Sequence, residues 1–154
     1  MKKKTCCFTG HRAIPALEIE KLRTNIEKKI AALIVMGVTN FICGGAIGFD
    51  TLAAESVIMF RKMNPMVRLI IAVPCRGQHE RWNTYQQKKY EGILKQADEV
   101  KYLSDSYYDG CMQKRNEYMV DKSEYCIAYF RNHAGGTLKT IMYAKEKGMS
   151  VIYV

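Results

Sequence analysis

No run of apolar residues in this chain approaches the roughly 18 that a membrane-spanning helix requires, so no membrane is expected among its partners. The basic start, Lys2-Lys3-Lys4, is followed only by Thr5-Cys6-Cys7-Phe8-Thr9. That stretch is too short for the apolar core of a secretory signal. The expected compartment is the cytoplasm, with Lys2 to Lys4 as a frayed, solvated end. Cysteine pairing is missing too. The six cysteines, Cys6, Cys7, Cys43, Cys75, Cys111 and Cys126, include no C-x-x-C and no paired spacing. Cys6, Cys7, Cys43 and Cys126 lie inside apolar runs and read as reduced, buried small hydrophobes. The spacing of Cys43, Cys75 and His11 is wrong for a closed zinc site, so neither a metal nor a cofactor is expected. There is no Walker loop, no complete dinucleotide fingerprint and no nucleophile elbow. Internal repeats, linkers and low-complexity segments are likewise absent.

What is present is ordinary for one globular domain. The chain has 154 residues, 48% of them apolar and 25% charged. A chain of that length buries roughly 70% of its unfolded surface, enough for a core without staples. Lysine and arginine total 24 against 15 acidic residues, a net charge of +9. That excess favours anionic partners: nucleotides, nucleic acid or acidic surfaces.

Short apolar runs alternate with helical patterns from end to end. Strands are expected at 5–9, 40–43, 67–73, 98–103, 125–130 and 150–154. Between them, Ile19, Leu22, Ile26, Ile30 and Leu33 recur at three- and four-residue spacing, one apolar face of a helix opened by Pro15 and closed near Gly37. Further helices are expected from Asp50 to Met63, Glu80 to Gln96, Cys111 to Lys122 and Thr137 to Lys147. Such alternation is the mark of a single α/β domain, a doubly wound and mainly parallel sheet with helices on both faces.

In such a sheet, ligands bind beyond the carboxyl ends of the strands. The loops to read are therefore Gly10-His11-Arg12, Gly44 to Asp50, Pro74 to Trp82, Leu103 to Gly110 and Arg131 to Thr137. Gly44-Gly45-x-x-Gly48 lets backbone approach an anion while the following helix points N–H groups at it. Tight packing of helix on strand demands the same glycines. A side chain at Gly45 would fill the anion's space. Asp50 is either a helix cap or a partner for a sugar hydroxyl. Gly135-Gly136-Thr137 repeats the arrangement after a later strand. Arg12 and Arg115 supply charge, Asn116 lies beside Arg115, and Met119 shares its helix face at four residues' spacing. Trp82, the single tryptophan, is either a stacking platform or a packing residue. His11, His79 and His133 lie in loops at the same rim, and nothing places a nucleophile beside them.

These residues carry a resemblance. Gly10-His11-Arg12 followed by Cys43-Gly44-Gly45-Ala46-Ile47-Gly48-Phe49-Asp50 resembles the S/C-G-G-A-x-G-h-D signature of the SLOG superfamily. That superfamily groups the DNA-processing protein DprA (Smf) with the LOG proteins. Gln78, Trp82, Tyr90, Ala97-Asp98, Arg115-Asn116, Met119-Val120-Asp121 and Gly135-Gly136-Thr137 resemble the YpsA-like branch. The resemblance spans essentially the whole chain. It implies a Rossmann-like fold and a pocket for a nucleotide or nucleotide-derived ligand. The pocket would be formed by Gly10, His11, Arg12, Gly44, Gly45, Gly48, Asp50, Trp82, Arg115, Asn116, Met119, Gly135, Gly136 and Thr137.

LOG hydrolases carry P-G-G-x-G-T-x-x-E, whose glutamate works with a helix arginine. Aligning Gly136-Thr137 with the family's G-T puts Thr140 where that glutamate belongs. Binding or sensing without cleavage is therefore the expected role. A nucleotide-cleaving hydrolase and a DprA-like binder of single-stranded DNA stand as alternatives. The lysines are scattered along the sequence, so any nucleic-acid binding is expected to be weak and non-specific. Self-association stays open.

Overall fold

The computed structural model describes residues 4–131 and 134–154. The expectations for Lys2, Lys3 and His133 fall outside them. Six strands alternate with five helices. The strands are β1 (Thr5–Gly10), β2 (Asn40–Cys43), β3 (Arg68–Val73), β4 (Glu99–Tyr102), β5 (Tyr125–Tyr129) and β6 (Ser150–Tyr153). The helices are α1 (Ile19–Val35), α2 (Phe49–Met63), α3 (Thr84–Gln96), α4 (Cys111–Asp121) and α5 (Gly136–Glu146). Every strand pairing is parallel, in the order β4-β3-β2-β1-β5-β6.

The two-residue period of the strands sorts their side chains between two cores. Cys6, Phe8, Phe41, Cys43, Leu69, Ile71, Val73, Ile127 and Tyr129 face one way. They pack there against Leu22, Ile26, Ile30 and Leu33 of α1, the apolar stretch of α2 and Ile93 of α3. Cys7, Ile42, Ala72 and Cys126 face the other way, against Met119 and Val120 of α4 and Ala144 of α5. Strands sandwiched like this must be apolar on both faces, which is why they read as unbroken runs. All six cysteines are unpaired and buried. Among the described residues, no helix is long and apolar enough to cross a membrane.

Several helix starts differ from the sequence expectation. Ala16–Glu18 form a 3-10 turn closed by the Glu18 amide donating to Pro15 O at 2.9 Å, so α1 starts only at Ile19. α3 starts at Thr84 rather than Glu80 because Asn83 and Gln86 form a capping box. The Gln86 amide donates to Asn83 Oδ1 at 2.8 Å, and the Asn83 amide donates to Gln86 Oε1 at 3.2 Å. Trp82 is thereby left in the preceding loop. α2 has Gly48 at its cap, and Asp50 lies inside the first turn.

Candidate functional site

Strand order places the site. β1 and β5 are neighbours, yet the chain leaves β1 toward β2 on one side and leaves β5 toward β6 on the other. That divergence opens a crevice beyond their carboxyl ends. A cleft of about 340 Å³ lies there. Its walls are the end of β1 through Gly10, His11 and Arg12, the first turn of α5 at Gly136 and Thr137, Asp50, and Met112, Arg115 and Asn116 of α4.

The first glycine turn is held by the protein itself. The Arg115 guanidinium donates through Nη1 to Gly44 O at 2.5 Å and to Ala72 O at 3.3 Å, and through Nε to Asn116 Oδ1 at 2.9 Å. Asp50 Oδ2 accepts the Ala46 amide at 3.2 Å. Both charged groups are buried, Asp50 to 7% and Arg115 to 4% exposure. Gly44 lies between them. A methyl group on it would sit 2.7 Å from the Arg115 guanidinium carbon and 2.8 Å from Asp50 Oδ2. Burial raises the Asp50 carboxyl above its ordinary value, while Arg115 and the Ala46 amide pull it back. Burial likewise lowers the Arg115 guanidinium, opposed chiefly by Asp50.

Several glycines turn out to serve the fold rather than a ligand. A methyl at Gly10 would lie 2.3 Å from the Phe49 ring, and one at Gly48 would lie 2.1 Å from Arg12 O. Both positions exist so that α2 can start close against β1. The Phe49 amide donates to His11 O at 3.1 Å, and the Thr51 and Leu52 amides turn back onto Gly48 O. A side chain at Gly45 meets Ile71, Tyr90 and Gln78 at 3.1–3.2 Å rather than open ligand space, and its φ of +75° strains any such residue. The first turn is therefore largely a packing device, with the Ala46 amide taken by Asp50 and the Phe49 amide by His11.

The second turn is different. α5 has no side-chain cap at Gly135. Among the described residues, no atom lies within 4 Å of where a side chain on Gly135 or Gly136 would start. Gly135 has φ +100°, a left-handed value that by itself favours glycine, whereas Gly136 has an ordinary backbone. Gly136 and Thr137, which open α5, line the cleft together with Arg12, Arg115 and Asn116, and the first amides of a helix have no partner within it. Thr140, one turn later, is 1% exposed and donates its hydroxyl to Gly136 O at 2.8 Å. Asp50 is the only carboxylate lining this cleft among the described residues.

Arg12 is exposed and forms no ion pair with a carboxylate among the described residues; the hydrogen bond its side chain makes there is Nη2 to Met112 Sδ at 3.9 Å. It forms the common wall of the central cleft and two neighbours. One, of about 420 Å³, runs over the Gly45–Gly48 turn to Trp82 and Tyr90. The other, of about 670 Å³, contains Arg76, Arg81, Trp82, Tyr107 and Met112. His11 lines the central cleft with one ring nitrogen already engaged. Its Nε2 accepts the Arg131 amide at 2.8 Å. Burial and nearby Arg131 lower its pKa, which keeps the ring neutral with its proton on Nδ1. Met119 does not join the cleft. It is 1% exposed in the second core. It shares the Arg115 stripe but lies about 6 Å deeper along α4, four residues at 1.5 Å each. Met112, three residues the other way, is the cleft residue that helical spacing alone does not single out. Among the described residues, no group of three His, Cys, Asp or Glu side chains could hold a metal ion.

A parallel six-stranded sheet with two packed helical layers and a glycine-lined cleft at its switch point defines a Rossmann-like α/β domain. The sequence model described as the YspA SLOG family (YpsA) matches residues 7–151, and the chain belongs to that family. It is 36% identical over 118 residues to the protein "Uncharacterized SPbeta prophage-derived protein YoqJ" of Bacillus subtilis, covering 69% of each. It is 33% identical over 121 residues to UPF0398 protein BH1768 of Halalkalibacterium halodurans, covering 77% of this chain but 64% of that one. Among solved structures it is similar to DNA processing protein A of Helicobacter pylori, with TM-score 0.69 and 18% identity over 99% of this chain and 65% of that one. The Helicobacter protein is described as having a unique single-stranded DNA binding mode. DprA of Streptococcus pneumoniae gives TM-score 0.68 and 16% identity, with half of that chain covered. At these identities the two likenesses establish a shared fold.

Proposed function

We propose that this protein binds a nucleotide or nucleotide-derived ligand in the central cleft, with its phosphate against the first turn of α5 and beside Arg12, and does not cleave it. The observation that carries the reading is Gly136. Its backbone is ordinary and its surroundings are open, so nothing in the described fold asks for glycine there. An anion seated on the opening amides of α5 does ask for it. Membership of the SLOG family supports nucleotide or DNA binding at a coarse level. The absence of cleavage rests on the acid–base inventory. Thr140 holds the place of the LOG glutamate and its hydroxyl is tied into the helix. Asp50 is occupied by the Ala46 amide beneath the Gly44 turn.

Gly136→Val tests this. The variant should fold with its melting temperature within about 2 °C of the parent, a change of well under 1 kcal/mol. Losing two helix-terminal hydrogen bonds to an anion, each worth about 1.5 kcal/mol, should weaken nucleoside monophosphate binding roughly 100-fold in calorimetry. Unchanged affinity would remove α5 from the site. In parallel, the parent protein incubated with nucleoside monophosphates should release no free base. Steady release would overturn the non-cleaving half of the reading.

A second reading has one observation of its own. The fold gathers Arg12, Arg76, Arg81, Trp82 and Tyr107 from three loops into the largest of the three clefts, where three arginines outnumber Glu80 and Asp105, the latter paired with Arg76 at 3.3 Å. A basic groove with aromatic side chains suits single-stranded nucleic acid. With three arginines engaged, band-shift affinity should fall about 20-fold between 50 and 200 mM salt. Tight, salt-resistant binding would make DNA the principal ligand.

A further inference from the structure

We propose that the cleft over the Gly45–Gly48 turn is a subsite for a heteroaromatic base. In this arrangement Trp82 forms one wall and Arg12 bridges from the base to the phosphate in the central cleft. The inference rests on the phosphate reading above and adds the direction in which the ligand lies. Its warrant is a difference between neighbouring clefts that share Arg12, Ala46 and Asp50. The central cleft is lined mainly by small and polar residues, among them Arg12, Arg115, Asn116, Asp50 and the first turn of α5. The adjoining one is walled by Trp82, Tyr90, Ile14, Ile19 and Ile93. A ligand crossing from one to the other therefore has an anionic end and a flat, weakly polar end, and a nucleotide has that build.

The aromatic wall is preassembled. Trp82 stands edge-on to Tyr90, with ring centroids 5.3 Å apart and planes at 80°. His79 backs both rings, at 4.6 Å from Tyr90 and 6.2 Å from Trp82. Tyr90 is pinned by Gln78, whose Nε2 donates to the Tyr90 hydroxyl and to Gly44 O, each at 3.3 Å. Trp82 itself is only half-buried, at the junction of two clefts. Three charged side chains of this cleft are tied to one another. Glu55 accepts from Arg23 at 3.2 Å and from Lys89 at 3.0 Å. Because those groups are already engaged, the base is held by stacking and shape, and adenine and guanine should bind comparably.

Trp82 is the single tryptophan in the chain, so its emission reports this subsite directly. The full chain is titrated with adenosine 5′-monophosphate, adenosine, ribose 5-phosphate and inorganic phosphate. Adenosine monophosphate and adenosine should quench saturably, whereas ribose 5-phosphate and phosphate should bind in calorimetry without quenching. Trp82→Ala should weaken adenosine monophosphate about 10- to 100-fold in calorimetry and leave ribose 5-phosphate unchanged. Trp82→Phe should weaken it less, which separates stacking from loss of the loop. Binding of adenosine monophosphate without quenching, or equal losses for both phosphates in Trp82→Ala, would overturn the subsite while leaving the phosphate reading intact. Quenching by adenosine in a protein that binds neither phosphate would do the reverse. If none of the four ligands binds, both readings fall.

Discussion

Gly48→Ala should lower the melting temperature by roughly 10 °C, a change at the carboxyl rim that acts on the fold before it acts on any ligand. At φ +77° and ψ −121° the backbone occupies a region that alanine rarely enters. The added methyl would lie 2.1 Å from Arg12 O, and a main-chain oxygen cannot swing aside as a side chain can. Backbone strain of about 1–3 kcal/mol and overpacking of about 1–3 kcal/mol together give about 2–6 kcal/mol. For a domain of this size that amounts to roughly 10 °C. The same shift would displace Arg12, the wall common to three clefts, so ligand affinity should fall with stability. A melting temperature within the error of the parent would show that the loop can move apart at little cost. Gly48 would then not be what holds α2 against β1.

Arg115→Ala should be as damaging, for an electrostatic reason. The substitution strips the donor from Gly44 O and Ala72 O and takes from the buried Asp50 carboxylate the cation that lowers its pKa most. Removing one partner of a buried charged pair costs about 3–5 kcal/mol. The pH dependence carries the signature. Burial already raises the Asp50 carboxyl above its unfolded value, and losing Arg115 raises it further. A raised carboxyl costs nothing below its unfolded pKa and weakens the fold as pH climbs through its folded pKa. The deficit of the variant relative to the parent should therefore be largest at neutral pH and shrink as the medium becomes acidic. Arg115→Ala combined with Asp50→Asn should recover part of it at neutral pH. Denaturant midpoints for parent, single and double variants across pH decide this. A deficit independent of pH, with no recovery in the double variant, would mean that Arg115 acts through its backbone hydrogen bonds alone. Arg115→Lys should rescue poorly, because an ammonium cannot span Gly44 O, Ala72 O and Asn116 at once.

The strands and four of the helices lie within a few residues of where the sequence puts them. The reason is local: a two-residue period in Cys6 to Phe8 and Leu69 to Val73, and a three- to four-residue period in Leu22 to Leu33, are properties of neighbouring residues. The start of α3 was expected at Glu80, although the chain carries the signal for Thr84. Asn83-x-x-Gln86 is a capping box written in the chain, and it outweighs the helix tendency of Glu80 and Arg81. The glycines were legible as glycines but not by task. Whether a missing Cβ serves a neighbour or a ligand depends on what lies opposite, and that is a matter of strand order. Gly10 and Gly48 face Phe49 and Arg12, Gly44 faces Arg115 and Asp50, and Gly136 faces open space. Sequence spacing placed Arg115 and Met119 on one helix stripe. Only the depth of α4 along the sheet sends Arg115 to the cleft and Met119 to the core. Likewise Arg12, the pair Arg76 and Arg81, and Tyr107 belong to three separate loops of the chain. They share one cleft because β1, β3 and β4, with the segments that follow them, end on the same rim of a parallel sheet. The periodicity of the chain by itself determined which segments became strands and helices and which loops could bear chemistry. The order in which the strands pair decided which residues from those loops meet, since hydrogen bonds between distant segments, rather than the local period, set that order.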